Sequence, residues 1–288
     1  MESKKIRNSA WRDLDARLLW IYEDRVHSSS SNAEIRNCEY FSVWRLNKGC
    51  VDMEFADGQS YRVDAGNWVA LVPGMKKSQL FSEDAEIVSV AFIARWPDGS
   101  NLLKVAEPVI FSSGHETGFE HAVYELRDYI SQNVDFNYMR QSAAKIDFTT
   151  YAYSNLLFWK FIESWYNIMD NKGCGVQMPE DLDPRLRPAL FILRKHHFNQ
   201  PLPYEQLCRQ SGLSRSHFDR LFVEQFGQSP KKFCESICLE DVIRLLSTSS
   251  ISVKEAAFEA GFVNVSHFCT WFKRKTSHSP EEYRRFLV

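Results

Sequence analysis

Ser252-Val253-Lys254-Glu255-Ala256-Ala257-Phe258-Glu259-Ala260-Gly261-Phe262-Val263-Asn264-Val265-Ser266-His267-Phe268 is the stretch on which the reading of this 288-residue chain turns. Its Ser266-His267-Phe268 core, followed by Phe272, repeats Ser216-His217-Phe218 and Phe222 from fifty residues earlier. The echo continues: Gln228-Ser229-Pro230 aligns with His278-Ser279-Pro280, and Phe233 with Tyr283. Self-similarity at a fixed offset marks one supersecondary unit written twice. A glycine-containing turn precedes each core, Ser211-Gly212-Leu213 in the first copy and Ala260-Gly261-Phe262 in the second, and an amphipathic segment precedes each turn. Each copy therefore reads as helix, turn, helix.

Local chemistry agrees with this. Pro203 stands near the first turn of the earlier helix, where its missing amide hydrogen costs nothing, and Gly212 can take the left-handed conformation that ends a helix. Ser214 is expected to cap the helix that follows, because its side-chain oxygen can accept from an amide two or three residues on. In the second copy Ser252 and Glu255 form a Ser-x-x-Glu capping box, and Gly261 ends that helix.

The helical period then sorts the side chains. Phe218, Leu221, Phe222 and Phe226 recur at three and four residues and point inward, leaving Ser216, Asp219, Arg220 and Val223 on another face. In the second copy Phe268, Trp271 and Phe272 are the anchors, and Ser266, Cys269, Thr270 and Lys273 point away. These outward faces are candidates for the major groove of DNA: Arg220 for a two-pronged contact to guanine, Asp219 to orient that arginine or accept from a cytosine amine, with Ser216, Ser266, Thr270 and Lys273 beside them. Arg215, Lys231, Lys232, Arg274, Lys275, Arg284 and Arg285 are assigned to phosphates, where charge holds register without reading sequence; Lys273 would serve in that role too. Taken singly, an outward arginine is more often a solvated surface residue, and two helices with an aromatic face fit any small bundle. The doubling is what favours nucleic acid.

Charge points the same way. Residues 1–184 carry 19 Lys+Arg against 27 Asp+Glu, whereas 185–288 carry 16 against 10, so a net charge of −2 conceals an acidic body and a basic last third. A basic module is what phosphate neutralisation requires. With 44% apolar and 25% charged residues the composition is that of a folded globular protein of about two domains. Apolar runs such as Leu18-Leu19-Trp20-Ile21-Tyr22 stop far short of the roughly 20 residues that span a bilayer. Met1-Glu2-Ser3-Lys4-Lys5-Ile6-Arg7 is polar and leads into no signal segment, so a cytoplasmic protein is expected. Seven cysteines with no Cys-x-x-Cys pair argue against a disulfide framework or zinc ribbon, and Cys234 and Cys238, four apart, are expected to be buried small hydrophobes.

The earlier part of the chain reads as short strands at 40–46, 50–55, 60–63, 68–72 and 87–93, rich in β-branched and aromatic residues and separated by turns such as Asp57-Gly58 and Pro73-Gly74. Regular spacing predicts an all-β sandwich or barrel. Phe119, Val123, Leu126 and Ile130 then recur at helical spacing, and residues 148–169 repeat the habit, which predicts a helical hairpin. Leu156, Trp159, Phe161, Ile162, Trp165 and Tyr166 cover more than one stripe of that second helix. Both a large internal core and a dimer interface fit that pattern. The seam is expected at 171–184, dividing residues 1–170 from 185–288.

From about Arg187 to Phe286 the chain resembles the DNA-binding module of the AraC/XylS family of bacterial transcription regulators. Ser252 to Ala257, Gly261-Phe262, Ser266-His267-Phe268, Phe272-Lys273 and Ser279-Pro280-Glu281-Glu282-Tyr283-Arg284 carry the likeness. The resemblance implies two helix-turn-helix units joined by a long helix, about 231–247, with recognition helices entering successive major grooves about 34 Å apart. Cys238 departs from an arginine usual in the family, Ser277 from a glycine, and Thr270 from a polar or basic base reader.

More loosely, the first part is similar to the cupin-like effector domain of such regulators, through Gly49, the run from Gly66 to Gly74 and the strand ending at Phe92. The expected fold class is thus α+β with two domains, a cupin-like β-barrel with a helical hairpin followed by an all-α tandem helix-turn-helix domain. The resemblance implies a small-molecule effector, a sugar for example, and dimerisation through the hairpin. Trp44, Trp68, Trp96 and Phe92 are candidates for a stacking face, and Arg45 and Lys77 for charged donors. Strand alternation puts Trp44 and Arg45 on opposite faces. Lys76-Lys77-Ser78 stands where a metal-binding cupin would have a histidine, and only His27, His115 and His121 precede residue 185, so no metal, no cofactor and no catalytic residue is expected.

The leading expectation is a homodimeric regulator that binds double-stranded promoter DNA, with RNA polymerase as a further candidate partner and no membrane role. Two other classes stay open: a metal-free cupin-type sugar enzyme with an appended DNA module, and an architectural protein whose barrel only dimerises.

Overall fold

A computed structural model describes residues 11–26, 32–37, 40–55, 57–96, 99–105, 107–112, 114, 117–134, 145–177, 182–197, 199–246, 251–276 and 278–287. His27, His115 and Ser277 lie outside this set, as do the side chains of Lys77 and Arg285. The chain forms two compact units. One comprises Met1–Arg95 and Asn101–Gln177, and the other Met178–Val288 with Trp96–Ser100.

The first unit is built on two antiparallel sheets. β1 (Asp15–Arg25), β8 (Glu86–Arg95), β3 (Phe41–Lys48), β6 (Asn67–Leu71) and β9 (Val109–Ser112) lie side by side in that order. β2 (Asn32–Asn37), β7 (Lys76–Phe81), β4 (Cys50–Phe55) and β5 (Ser60–Asp64) form the second sheet. Among the described residues no hydrogen-bonded ladder joins one sheet to the other, so the closed barrel expected from the sequence is replaced by two facing sheets. The strands at 15–25, 32–37, 76–81 and 109–112 were absent from the sequence reading.

Burial patterns explain the layering. In β4, Val51, Met53 and Phe55 are buried while Asp52 and Glu54 are exposed, as a strand with one covered face requires. β8 is buried without interruption from Ile87 to Ala94, as a strand covered on both faces must be. On one face, the Trp44 ring lies 5.6 Å from Phe81 of the second sheet. On the other lie α1 (Thr117–Asn133) and α2 (Phe148–Asn171). Phe158, Phe161 and Trp165 of α2 pack edge-on against Phe92, with ring centroids 6.2, 5.2 and 4.9 Å away. The helices pack as the predicted hairpin, with Tyr129 and Tyr153 4.6 Å apart and Lys160 bridging to Glu125 at 3.3 Å. Phe148, Tyr151, Leu156 and Trp159 nevertheless remain exposed on one side of α2.

Among the described residues the regular structure of the second unit is helical: α3 (Arg187–Lys195), α4 (Tyr204–Ser211), α5 (Arg215–Phe226), α6 (Pro230–Leu246), α7 (Val253–Glu259), α8 (Val265–Thr276) and α9 (Pro280–Leu287). One apolar core runs through it, from Leu186, Leu190 and Leu193 through Phe218, Phe222 and Phe233 to Phe268, Trp271 and Phe272. No helix among the described residues is long and apolar enough to cross a membrane.

Candidate nucleic-acid interface

The sequence repeat reappears as repeated packing. Phe222 of α5 meets Phe233 of α6 at 5.4 Å and 78°, and Phe272 of α8 meets Tyr283 of α9 at 5.3 Å and 87°. Each reading helix is therefore seated on the helix that follows it by the same edge-to-face pair. The seating turns Phe218 and Phe222, or Phe268 and Phe272, wholly inward and leaves Ser216, Arg220 and Val223, or Ser266, Thr270 and Lys273, exposed.

The entries to the two helices differ. Gly212 ends α4 at φ 67°, and Ser214 has the extended geometry of a cap but its side chain makes no capping hydrogen bond, contrary to expectation. Ser252 accepts from the Glu255 amide at 3.1 Å while the Glu255 carboxylate accepts from the Ser252 amide at 2.7 Å, so the capping box of α7 is complete. Asn264, aligned with Ser214 in the repeat and not identified from sequence, accepts from the amides of Ser266 at 2.8 Å and His267 at 3.3 Å.

Several assigned side chains have partners that redefine them. The Tyr204 hydroxyl donates to Asp219 Oδ1 at 2.9 Å, so the partner of Asp219 is this tyrosine and not Arg220. The Arg215 guanidinium lies over the same Tyr204 ring, 4.0 Å from its centroid. Thr270 donates its hydroxyl to the Ser266 carbonyl at 2.9 Å, and Cys269 is half-buried instead of facing outward.

Two side chains assigned to phosphates have partners within the protein. Lys275 pairs with Glu235 of α6 at 2.8 Å, and the same carboxylate accepts from Trp271 Nε1 at 2.9 Å. Burial pushes the Glu235 carboxyl up, but the hydrogen bonds from Lys275 and Trp271 and the nearby Lys275 and Arg274 charges outweigh it and hold the group below its usual range. Arg284 is half-buried and donates to the Ile251 carbonyl, tying α9 to the residue before the capping box. Lys231 and Lys232 are exposed at the start of α6, and Arg274 is exposed on α8. The Cys234 and Cys238 thiols donate to the carbonyls of Leu193 and Ala260, and burial pushes both up to about 12, as packed thiols require.

In the first unit the five effector candidates separate. Trp68 is fully buried, donates from Nε1 to Glu120 at 2.9 Å, stacks on Phe111 and meets Phe119 edge-on, and Phe92 lies under α2, so both belong to the sheet–helix layer instead of a space between the sheets. Arg45 donates to the Tyr124 hydroxyl of α1 at 2.7 Å and to Asn47 at 2.8 Å, which makes it a sheet–helix tie. Trp44 alone of the four described side chains faces the second sheet. Ser89 pairs with Trp44 in register and so shares its face; its hydroxyl accepts from Trp20 Nε1 at 3.1 Å, and Tyr40 stands edge-on to Trp20 at 4.9 Å. Trp20 lies in a strand that the sequence did not disclose, whereas Tyr40 and Ser89 fall within the expected stretches 40–46 and 87–93 but carried no signal that they share a face with Trp44. Lys77 sits in β7 opposite Phe55 in register.

These features define a tandem helix-turn-helix domain attached to a β-rich domain with a helical hairpin. Residues 207–285 match the model of a helix-turn-helix domain family. An uncharacterised helix-turn-helix transcriptional regulator of Haemophilus influenzae is 35% identical over 103 residues, 36% of this chain and 34% of its own. The transcriptional activator RhaS of Klebsiella pneumoniae is 33% identical over 103 residues, 36% of this chain and 37% of its own. Among solved structures, ToxT of Vibrio cholerae O395 aligns over 96% of this chain and 99% of its own at 15% identity, with a TM-score of 0.47. Residues 207–285 of the C-terminal unit thus carry a helix-turn-helix domain, the class of domain found in transcriptional regulators such as these relatives. The chain spans about a third of the length of these curated relatives.

Proposed function

We propose that the whole chain is a non-enzymatic transcription regulator acting in the cytoplasm. In this reading residues 185–288 read promoter DNA, 171–184 link, and 1–170 form a cupin-like domain that takes a small-molecule effector and pairs two copies. The observation that carries it is the doubled seating of Phe222 on Phe233 and Phe272 on Tyr283, which turns two equivalent polar faces outward from one core. Ser216, Asp219 and Arg220 on α5 and Ser266, Thr270 and Lys273 on α8 are assigned to base edges, and Arg215, Lys231, Lys232 and Arg274 to phosphates.

For the effector, Trp44, Trp20 and Tyr40 supply aromatic faces and Ser89 a hydroxyl on the side of the sheet that meets its partner sheet. That set suits a ring bearing hydroxyls, a sugar being the simplest case. The exposed Phe148, Tyr151, Leu156 and Trp159 side of α2 is the surface assigned to a second copy. A promoter-bound dimer would then present itself to RNA polymerase. Effector control requires a ligand that binds two arrangements of the protein unequally, since equal affinity shifts nothing.

The test is selection of binding sites from random duplex DNA with the full chain, repeated with Arg220→Ala and Lys232→Ala. Arg220→Ala is expected to relax preference at one base position by about 1–3 kcal/mol. Lys232→Ala is expected to weaken all duplexes alike and lower the salt slope by about 1. Equal, sequence-blind losses for both variants would remove the assigned roles, and no salt-sensitive duplex binding by the parent chain would remove the reading itself.

A further inference from the structure

Tyr204 opens α4, the helix ahead of the first reading helix, and touches two of the side chains assigned to DNA. Its hydroxyl donates to Asp219 Oδ1 at 2.9 Å, and its ring carries the Arg215 guanidinium at 4.0 Å. Arg215 and Asp219 are four residues apart on α5 and so lie on one face of that helix. The ring is itself anchored: Tyr204 packs against the domain core, and its amide donates to the Leu202 carbonyl at 2.8 Å. We infer that Tyr204 is a specificity-determining positioning residue, which aims the Asp219 carboxylate at an amine-bearing base edge and holds Arg215 at the neighbouring phosphate. The inference rests on the DNA-reading role given to α5 above.

The chemistry follows from what each atom can do. A carboxylate has about four acceptor positions, so one phenolic donor fixes its rotamer and leaves acceptor capacity for the exocyclic amine of cytosine. Without that donor the carboxylate can turn about its side-chain bonds, and an ordering cost would fall on the moment of binding. Burial pushes the Tyr204 phenol up from its ordinary value, the hydrogen bond and charge of Asp219 act in the same direction, and the charge and hydrogen bond of Arg215 pull it back only in part. The hydroxyl therefore stays a donor throughout the neutral range. The ring acts differently on Arg215: a guanidinium lying on an aromatic face keeps its edge donors for phosphate oxygens. One residue thus serves a sequence-reading group through its hydroxyl and a sequence-blind group through its ring, and substitution can separate the two.

The experiment compares the full chain with Tyr204→Phe, Asp219→Ala, the double variant Tyr204→Phe/Asp219→Ala, and Tyr204→Leu, on the site selected by the parent chain and on mixed-sequence duplex. Asp219→Ala is expected to relax preference at one base pair on the order of tenfold. Tyr204→Phe should relax the same pair several-fold while leaving affinity for mixed duplex within about twofold, since the ring under Arg215 remains. The double variant should lose no more than Asp219→Ala alone, because the hydroxyl acts through the carboxylate. Tyr204→Leu should in addition weaken binding to every duplex and lower the salt slope by about 1. Parent-like base preference in Tyr204→Phe beside a relaxed Asp219→Ala would overturn the inference, as would additive losses in the double variant. An Asp219→Ala variant with unchanged preference would overturn it too; Arg220→Ala relaxing its own position would then show that the DNA reading of α5 still stands. Unchanged melting of Tyr204→Phe checks that the effect is not one of folding.

Discussion

The two helix-turn-helix units share a repeat and a core, yet they hold their reading helices by different means. In the first, the turn before α5 is open: a Cβ added at Gly212 would meet nothing within 4 Å, and Ser214 makes no capping bond. In the second, the turn is clamped. The Asn199 amide donates to the Gly261 carbonyl at 2.6 Å, the His197 ring fills the space where a Gly261 side chain would go, and Asn264 caps α8. Glu235 then fastens the far end of α8 through Lys275 and Trp271. The first helix instead has polar attention on its outward side, through Tyr204, Arg215 and Asp219. The entry to α8 is thus held by hydrogen bonds at its turn and cap, whereas α5 is tied through side chains on its outward face.

The contrast can be broken most forcefully at the two turn glycines. Both have positive φ, 67° at Gly212 and 81° at Gly261. Gly212→Ala should cost about 1–2 kcal/mol, from the left-handed conformation alone. Gly261→Ala should cost about 2–4 kcal/mol, because overpacking against His197 adds to the backbone cost. Urea unfolding of both variants, followed by helical circular dichroism, measures the difference. Equal losses would mean that the clamp contributes nothing.

A smaller difference is expected at the caps. Ser252→Ala and Asn264→Ala should each lose about 1 kcal/mol, whereas Ser214→Ala should change stability by a few tenths at most. Thermal melts of the three variants would show it, and a Ser214→Ala loss matching the other two would erase the distinction between the entries.

The smallest effect is one of pH. The Glu235 carboxyl is held below its ordinary value of 4.5, so its pairing with Lys275 stabilises the fold fully above that pH and is lost as the pH falls through the lower folded-state value. Glu235→Gln should therefore flatten the acid limb of the stability profile below about pH 4.5 while changing its shape little at neutral pH. A parent and variant with parallel acid limbs would show that the tie is not linked to folding.

The helical third was largely legible because its signals are local and doubled. Phe218, Phe222, Phe268 and Phe272 recur at helical spacing, and Ser252 and Glu255 stand at the separation a capping box needs. The β-rich part was less so. β1 mixes charged and apolar residues and slips register between Leu18 and Trp20, and β7 opens on Lys76 and Lys77, so neither presents clean alternation. Asn264 carried a legible signal, a cap residue immediately before an apolar-periodic helix, aligned with Ser214 in the repeat.

What the sequence determined by itself was whatever depends on neighbours within a few turns: the repeated units, the capping box, the inward aromatic stripe, and the opposition of Trp44 and Arg45 across β3. Which face of that sheet would be covered by helices, and so that Trp68 and Phe92 are core, was decided only when α1 and α2 packed onto it. Likewise Lys275 and Arg284 look like surface cations until folding brings Glu235 and the Ile251 carbonyl to them. A charge at a helix surface has no intrinsic preference between phosphate and protein; the partner within hydrogen-bond reach settles it, and across that much chain only tertiary structure supplies the partner.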